Sequence, residues 1–117
     1  RRMGRLTTHV LDTAHGLPGG GIEIKLFSLE SGRHLVATAT TNEDGRTDKP
    51  LLDGDTYQPG RYEIEFLVGD YFAGRNAVRG DPPFLDDVVI RVTLGKDEHY
   101  HVPLLVSPWS YSTYRGS

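Results

Sequence analysis

Short runs of alternating apolar and polar residues fill most of the chain, and clusters of glycine, proline and aspartate separate them. This pattern is typical of β-strands that bury one face. The alternation predicts about eight short strands. In chain order they are Leu6–Asp12, Ile22–Phe27, His34–Thr41, a short Thr47–Leu52, Arg61–Leu67, Val88–Leu94, Tyr100–Val106 and Tyr111–Ser117.

Two segments depart from the two-residue period. Gly69–Asn76 is predicted to form one or two helical turns, and Gly16–Gly21 is predicted to be a loop because consecutive glycines hold regular structure poorly. Strands, one short helix and no internal repeat predict an all-β fold with two packed sheets. A small closed barrel is the alternative packing.

Length and composition narrow the class of protein. The 117 residues suit one domain over residues 1–117, with residues 1–5 expected to be flexible or added by cloning. The absence of cysteine excludes disulfides, a thiolate nucleophile and cysteine-ligated metals. A net charge of −3 with mixed signs argues against nucleic-acid binding, and no apolar window reaches the ~18 residues of a membrane span. Met3 resembles a start residue, so we expect a cytoplasmic protein, or a periplasmic one if a leader was removed.

Strand alternation places two histidines on one face of the predicted sheet. Thr7, His9 and Leu11 share a face of the first strand. In the seventh strand His99 and His101 share a face with a proline and a leucine, opposite four residues suited to a core. We therefore predict that the histidines lie on the outer face. That face is too apolar for plain solvent, so we expect a partner to cover it.

The residues alone leave three kinds of chemistry open for His9 and His101. The His-x-His spacing of His99 and His101 occurs in zinc sites, with His9, Asp12 or Glu98 as a third ligand. An imidazole can instead act as a general acid or base near neutral pH, or only hydrogen-bond a ligand. No nucleophile elbow, zinc-protease motif or calcium loop is present. The histidine face therefore predicts a half-buried polar site without defining its substrate.

Three segments resemble signatures of the 5-hydroxyisourate hydrolases, a branch of the transthyretin-like family. Leu6–Asp12 resembles the N-terminal signature and Thr41–Arg46 the middle one. His99–Pro108, which runs into Tyr111–Ser117, resembles the C-terminal signature. The closing Tyr-Arg-Gly-Ser is highly specific, since transthyretin, a carrier with the same fold, lacks it. The resemblance extends over nearly the whole chain.

The resemblance implies a transthyretin-like sandwich of two four-stranded sheets, with a short helix after the fifth strand. It implies a homotetramer built as a dimer of dimers, with active sites where outer sheet faces meet. The implied reaction is hydrolysis of a small molecule, 5-hydroxyisourate, to 2-oxo-4-hydroxy-4-carboxy-5-ureidoimidazoline in urate degradation. The implied site requires no metal and no organic cofactor.

The resemblance also implies a role for each site residue. His9 and His101 would activate water and transfer protons, and Arg46 would bind substrate oxygens and stabilise negative charge. Ser117 would hydrogen-bond the water or the departing nitrogen, and Tyr114 would pack on the flat substrate. The rival hypotheses are a carrier that binds a small aromatic ligand without turnover and a β-sandwich interaction module. Neither of these functions requires the histidines, the arginine or the terminal tetrad.

Overall fold

Two β-sheets, one short α-helix and a single 3₁₀ turn, Gly54–Thr56, make up the regular structure of residues 4–116, the part of the chain that the computed structural model describes. The elements are β1 Arg5–Asp12, β2 Leu17–Pro18, β3 Glu23–Ser28, β4 His34–Thr40, β5 Leu52–Asp53, β6 Gly60–Phe66, α1 Val68–Gly74, β7 Val88–Leu94, β8 His99–Val106 and β9 Tyr111–Thr113. One sheet has the order β2-β1-β8-β9, with β5 also pairing with β1, and the other has the order β4-β3-β6-β7. The predicted all-β sandwich with a short helix is confirmed.

The core lies between the two sheets and is built from the inward residues of the alternating strands. Ile24 and Leu26 of β3 and Ile64 of β6 are fully buried, as are Leu6 and Val10 of β1. Fully burying an aliphatic side chain of this size stabilises the fold by about 1.5–3 kcal/mol. Alternation in the sequence is therefore enough to define which face of β1, β3 and β6 packs inward.

Two predicted segments in the first half of the chain differ from the structure. The predicted strand Thr47–Leu52 is wrong: only Leu52–Asp53 pairs, with β1, and the residues before it are irregular. Thr47 Oγ1 donates to the Lys49 carbonyl over 2.6 Å and closes a turn, and Pro50 has no N–H for a sheet ladder. The predicted loop Gly16–Gly21 contains the short strand β2, which pairs with the end of β1.

The C-terminal segment is extended for only part of its predicted length. Strand β9 ends at Thr113, and Gly116 forms an isolated antiparallel bridge with His101. Ser117, the last residue of the predicted strand, lies outside the described residues. The chain therefore leaves β8 after Thr113 and pairs with it again at Gly116.

The central pair of the first sheet is parallel, with β1 beside β8. The register sets Thr7 opposite His101 and His9 opposite Pro103. Residues that alternate with them, such as Val10 and Leu104, are fully buried, whereas His9 and His101 are only partly buried. The predicted outer position of the histidines is thus confirmed, and two distant segments of the chain meet on that face.

Candidate functional site

A concave pocket of about 480 Å³ lies on the outer face of the first sheet, where β1 and β8 run beside the segment that follows β4. It is lined by Arg5, Thr7, Thr8, Arg46, Thr47, Pro50, His99 and His101. Two of the predicted site residues, Arg46 and His101, therefore share one pocket, and the wall contains more positively chargeable groups than negative ones. Such a wall suits a ligand with carbonyl oxygens or negative charge.

His101 is half-buried in this pocket and is fixed by a neighbour on β1. Its Nδ1 lies 2.8 Å from the hydroxyl oxygen of Thr7. Burial lowers the pKa of His101, and the positive charge of Arg46 and the nearby His9 and His99 lower the pKa further. The imidazole is consequently neutral at physiological pH, the form in which a ring nitrogen can accept a proton.

His9 is oriented by the turn that carries Arg46. Its Nε2–H donates to the carbonyl oxygen of Asp44 over 2.8 Å, and a carbonyl can only accept. In the neutral ring this bond leaves the lone pair on Nδ1. His9 and Arg46 are also backbone partners in an isolated antiparallel bridge, so the two side chains originate side by side.

A compact turn over residues 42–46 brings Arg46 to the sheet. The Asn42 side-chain oxygen accepts hydrogen bonds from the backbone N–H groups of Asp44 at 2.9 Å and Arg46 at 3.2 Å. Gly45 adopts a φ of +79°, and a Cβ there would collide with the carbonyl oxygen of Val10. Only glycine combines this backbone conformation with this approach to β1.

The Arg46 guanidinium is exposed, and among residues 4–116 no carboxylate forms an ion pair with it. By contrast, Arg33, Arg91 and Arg115 each form an ion pair with a glutamate. An arginine at a pocket wall without such a carboxylate retains its donors for a planar oxygen-bearing ligand.

The remaining predicted site residues are placed differently. Tyr114 is 61% exposed and lines a separate depression of about 310 Å³, so its predicted contact with the substrate stays a prediction. Ser117 lies outside the described residues, and its predicted role also stays a prediction. Arg115 pairs with Glu98 at 3.1 Å and stacks over the ring of Tyr100. That arginine therefore has a local structural role.

No group of three or more histidine, aspartate or glutamate side chains within residues 4–116 is arranged to hold a metal ion. Asp12, one candidate third ligand, instead accepts hydrogen bonds from Tyr71 and His15. In the same part of the chain, no helix is long and apolar enough to cross a membrane.

Arg5, Thr7 and His99 also line the pocket, and the sequence indicated no role in hydrolysis for any of them. His99, for which the His-x-His spacing indicated only a candidate zinc ligand, lines the pocket with His101. The signal was present in the alternation, because Thr7 shares a face with His9 and His99 shares one with His101. What the sequence did not reveal is the register that sets Thr7 opposite His101.

Comparisons with known proteins agree on one family. The sequence model described as HIUase/Transthyretin family matches residues 6–116. A protein of Pseudomonas aeruginosa named 5-hydroxyisourate hydrolase is 56% identical over 117 residues, which cover 98% of this chain and 93% of that protein.

Solved structures repeat the fold. The crystal structure of an (S)-allantoin synthase superposes with a TM-score of 0.92 at 46% identity over 97% of this chain, although this chain spans only 44% of that protein. The structure of Klebsiella pneumoniae 5-hydroxyisourate hydrolase superposes with a TM-score of 0.82 at 30% identity over 98% of this chain and 100% of the other.

Proposed function

The chain belongs to the HIUase/transthyretin family, and from that premise we propose that it hydrolyses 5-hydroxyisourate to 2-oxo-4-hydroxy-4-carboxy-5-ureidoimidazoline. The single observation that carries the proposal is the pocket that His101 and Arg46 line together, with His9 hydrogen-bonded to Asp44 in the turn that carries Arg46. A general base and a fixed cation are the groups that water attack on a carbonyl needs.

The reaction begins with activation of water. A neutral His101 ring nitrogen takes a proton from a water molecule as the water oxygen adds to a ring carbonyl of the substrate. The C–N bond then breaks, and the protonated imidazole delivers the proton to the departing nitrogen. A positioned acid–base group of this kind contributes about 10²–10⁴-fold to the rate. His9, whose Nδ1 lone pair is free when the ring is neutral, is the second proton-transfer group.

Arg46 binds the carbonyl oxygen that becomes negatively charged during attack. A guanidinium carries a positive charge and presents planar, paired donors to oxygen atoms. Because the same charge lowers the pKa of His101, Arg46 contributes twice: it stabilises the oxyanion and keeps the base neutral. Tyr114 packing on the substrate ring and Ser117 hydrogen-bonding to the water complete the proposed site.

The active form is proposed to be a homotetramer, a dimer of dimers in which outer sheet faces meet over the pockets. The support is the composition of that face, where Leu11 and Leu105 are opposite each other beside the polar pocket and are only partly buried in one subunit. Apolar side chains next to an open polar pocket favour coverage by another protein surface. Coverage would also exclude water and strengthen the electrostatic effect of Arg46.

The test is to generate 5-hydroxyisourate from urate and follow its ultraviolet absorbance with and without the protein. We expect decay well above the spontaneous rate. His9→Ala, Arg46→Ala and His101→Ala should each slow it by about 10²–10⁴-fold at unchanged thermal stability. Arg61→Gln, an exposed arginine on the other sheet, is the matched control and should have no effect.

Two outcomes would overturn the proposal. Decay no faster than the spontaneous rate, at a protein concentration where the tetramer is confirmed by sedimentation, would favour the carrier hypothesis instead. If a chelator abolished the activity and added zinc restored it, the histidines would instead be metal ligands. The interaction-module hypothesis predicts no turnover by the native protein. It also predicts that the alanine variants of His9, Arg46 and His101 bind a partner protein normally.

A further inference from the structure

The hydroxyl group of Thr7 lies between two imidazoles. Its oxygen is 2.8 Å from Nδ1 of His101 and 3.4 Å from Nε2 of His99. The two histidines are two positions apart on β8 and so share a face, and the parallel register sets Thr7 of β1 opposite His101. One side chain from β1 therefore contacts both histidines of the pocket.

A threonine hydroxyl has a single proton, which links the states of the two rings. It can donate one hydrogen bond and accept others through its lone pairs. If His101 Nδ1–H donates to Thr7, the Thr7 proton is free to point to His99 Nε2, and both contacts are satisfied. If Thr7 instead donates to His101 and accepts from His99 Nε2–H, both contacts are again satisfied, but the ring proton of neutral His101 must then be on Nε2, and that nitrogen cannot accept a proton from water.

The Thr7 hydroxyl is well placed to choose between these states. Its side chain is half-buried on a central strand, and a β-branched side chain has restricted χ1 rotation. The contact to His101 is much the shorter of the two. A hydrogen bond to the second ring nitrogen is the usual way in which proteins set a histidine tautomer.

We propose that Thr7 is a positioning residue that keeps the proton of His101 on Nδ1 and its lone pair on Nε2, while His99 accepts the proton of the Thr7 hydroxyl. The inference deepens the proposed hydrolysis, since it identifies Nε2 of His101 as the atom that takes a proton from water. Thr7 itself touches no reacting atom and acts through His101.

The groups around His101 favour its neutral form over the imidazolium. The charged or titratable groups that face it are Arg46 from the turn after β4, His9 from β1 and His99 from β8, with Arg5 of β1 on the same pocket wall. All of them are positive or become so on protonation, which disfavours the imidazolium form. With the ring neutral, activity depends on which nitrogen is unprotonated.

The experiment compares Thr7→Val, which keeps the shape but removes the hydroxyl, with Thr7→Ser, which keeps the hydroxyl. The matched control is Thr13→Val, because Thr13 also makes a hydroxyl contact from the β1 side to β8, but to the carbonyl of Val106, away from the pocket. Each full-length variant is examined by ¹⁵N NMR of its histidine rings, which separates protonated from unprotonated ring nitrogens, and by steady-state hydrolysis of 5-hydroxyisourate.

In the native protein we expect His101 with Nδ1 protonated and Nε2 unprotonated. Thr7→Val should give a mixture of tautomers and a decrease in kcat of about tenfold or more with KM little changed, within the range of acid–base catalysis. Thr7→Ser should restore the native ring signals and most of kcat, and Thr13→Val should match the native protein in both. Thermal melting and sedimentation verify that each variant folds and assembles.

Three results would overturn the inference: His101 with Nε2 protonated in the native protein, unchanged ring signals in Thr7→Val, or a Thr7→Ser variant as impaired as Thr7→Val. His99→Ala provides a further test, because combining it with Thr7→Val should cost no more than Thr7→Val alone if the two act through one hydroxyl. Additive losses would contradict that link. Absence of hydrolysis by the native protein would refute the proposed function, while the NMR comparison would still decide the role of Thr7.

Discussion

The backbone N–H of Gly116 donates to the carbonyl oxygen of His101 over 2.7 Å. This hydrogen bond holds the C-terminal segment against the residue of β8 whose side chain lines the pocket. A Cβ placed on Gly116 would lie 2.8 Å from Cδ2 of the His101 ring. The absence of a side chain at Gly116 therefore lets the terminal segment lie directly against the imidazole.

Gly116→Ala should consequently displace His101 or detach the segment from β8. We expect kcat to fall by about tenfold or more, because small misplacements of a catalytic group have large effects on rate. Unfolding in urea should change little, since Gly116 makes one bridge at the edge of the fold. Gly74→Ala is the control, because a Cβ there would meet nothing within 4 Å. Equal activity of the two variants would mean that the contact does not position His101.

Gly45→Ala should damage the turn that carries Arg46. Its φ of +79° strains an alanine, and the new methyl would collide with the Val10 carbonyl oxygen that already accepts from Gly19. We expect a loss of stability of more than about 1 kcal/mol, together with reduced activity, measured by urea unfolding and hydrolysis. Gly16→Ala has a comparable φ of +69° but open space around the Cβ. It should show the strain alone and full activity.

The pH dependence of hydrolysis should follow His101. Burial, Arg46, His9 and His99 lower its pKa, so the active neutral base persists below the usual histidine pKa of about 6.5. Any stability that the neutral His101 ring contributes is fully present above the usual histidine pKa of about 6.5. It is lost as the pH falls through the lowered pKa of His101 in the folded protein. Arg46→Gln removes one positive charge and should move the acid limb of kcat/KM to higher pH, in addition to lowering the maximum rate. An acid limb at unchanged pH would show that another group controls it.

Tyr71→Phe should destabilise the fold without touching the pocket. Burial raises the pKa of Asp12, but hydrogen bonds from Tyr71 at 2.7 Å and His15 at 2.6 Å outweigh it and hold the pKa below its usual range. Loss of a hydrogen bond to a buried charge costs about 1.5–3 kcal/mol, measurable by urea unfolding at pH 7. The carboxylate contributes stability above its unfolded pKa of about 3.9, and this is lost as pH falls through the folded pKa.

The difference in stability between the native protein and Tyr71→Phe should therefore shrink in strongly acidic solution. Tyr111→Phe, a change at an exposed tyrosine, is the control and should unfold like the native protein. The Asp12 network lies at the far end of β1 from Thr7, so kcat should be retained in the folded fraction. A Tyr71→Phe variant as stable as the native protein at pH 7 would contradict the assigned role.

The strands that alternate strictly were predictable from sequence, whereas the short strand β2 and the bounds of β5 were not. In β3 and β6 the alternation alone identifies Ile24 and Ile64 as core residues, because a two-residue period allows only one buried face. The segment Thr47–Leu52 begins with a β-branched residue and ends in two leucines, but a local turn and a proline keep the residues before Leu52 out of the sheet. Strand β2 forms within a glycine-rich segment because the end of β1 offers it hydrogen-bonding partners.

The features of the site likewise divide into those that the sequence predicts and those that only the fold reveals. Alternation places His9 and His101 on the outer face, and resemblance adds Arg46 to them. The contacts of Thr7 with both histidines depend on the parallel register of β1 and β8, which strand composition does not encode. The hydrogen bond from His9 to Asp44 likewise requires the fold of the turn over residues 42–46. Spacing along the sequence cannot reveal such neighbours, because separate parts of the chain supply them.

The parallel pairing of β1 with β8 also has a consequence for folding during synthesis. Thr7 and His101 are 94 positions apart, so β1 emerges during synthesis long before its principal partner exists. Until β8 arrives, the apolar residues Leu6 and Val10 and the open edge of β1 are available to other chains, the kind of exposure that promotes aggregation. Pairings between such distant segments are slow to form. Catalytic competence should thus appear only in the last stage of folding, and crowding of nascent chains should reduce the yield of active protein.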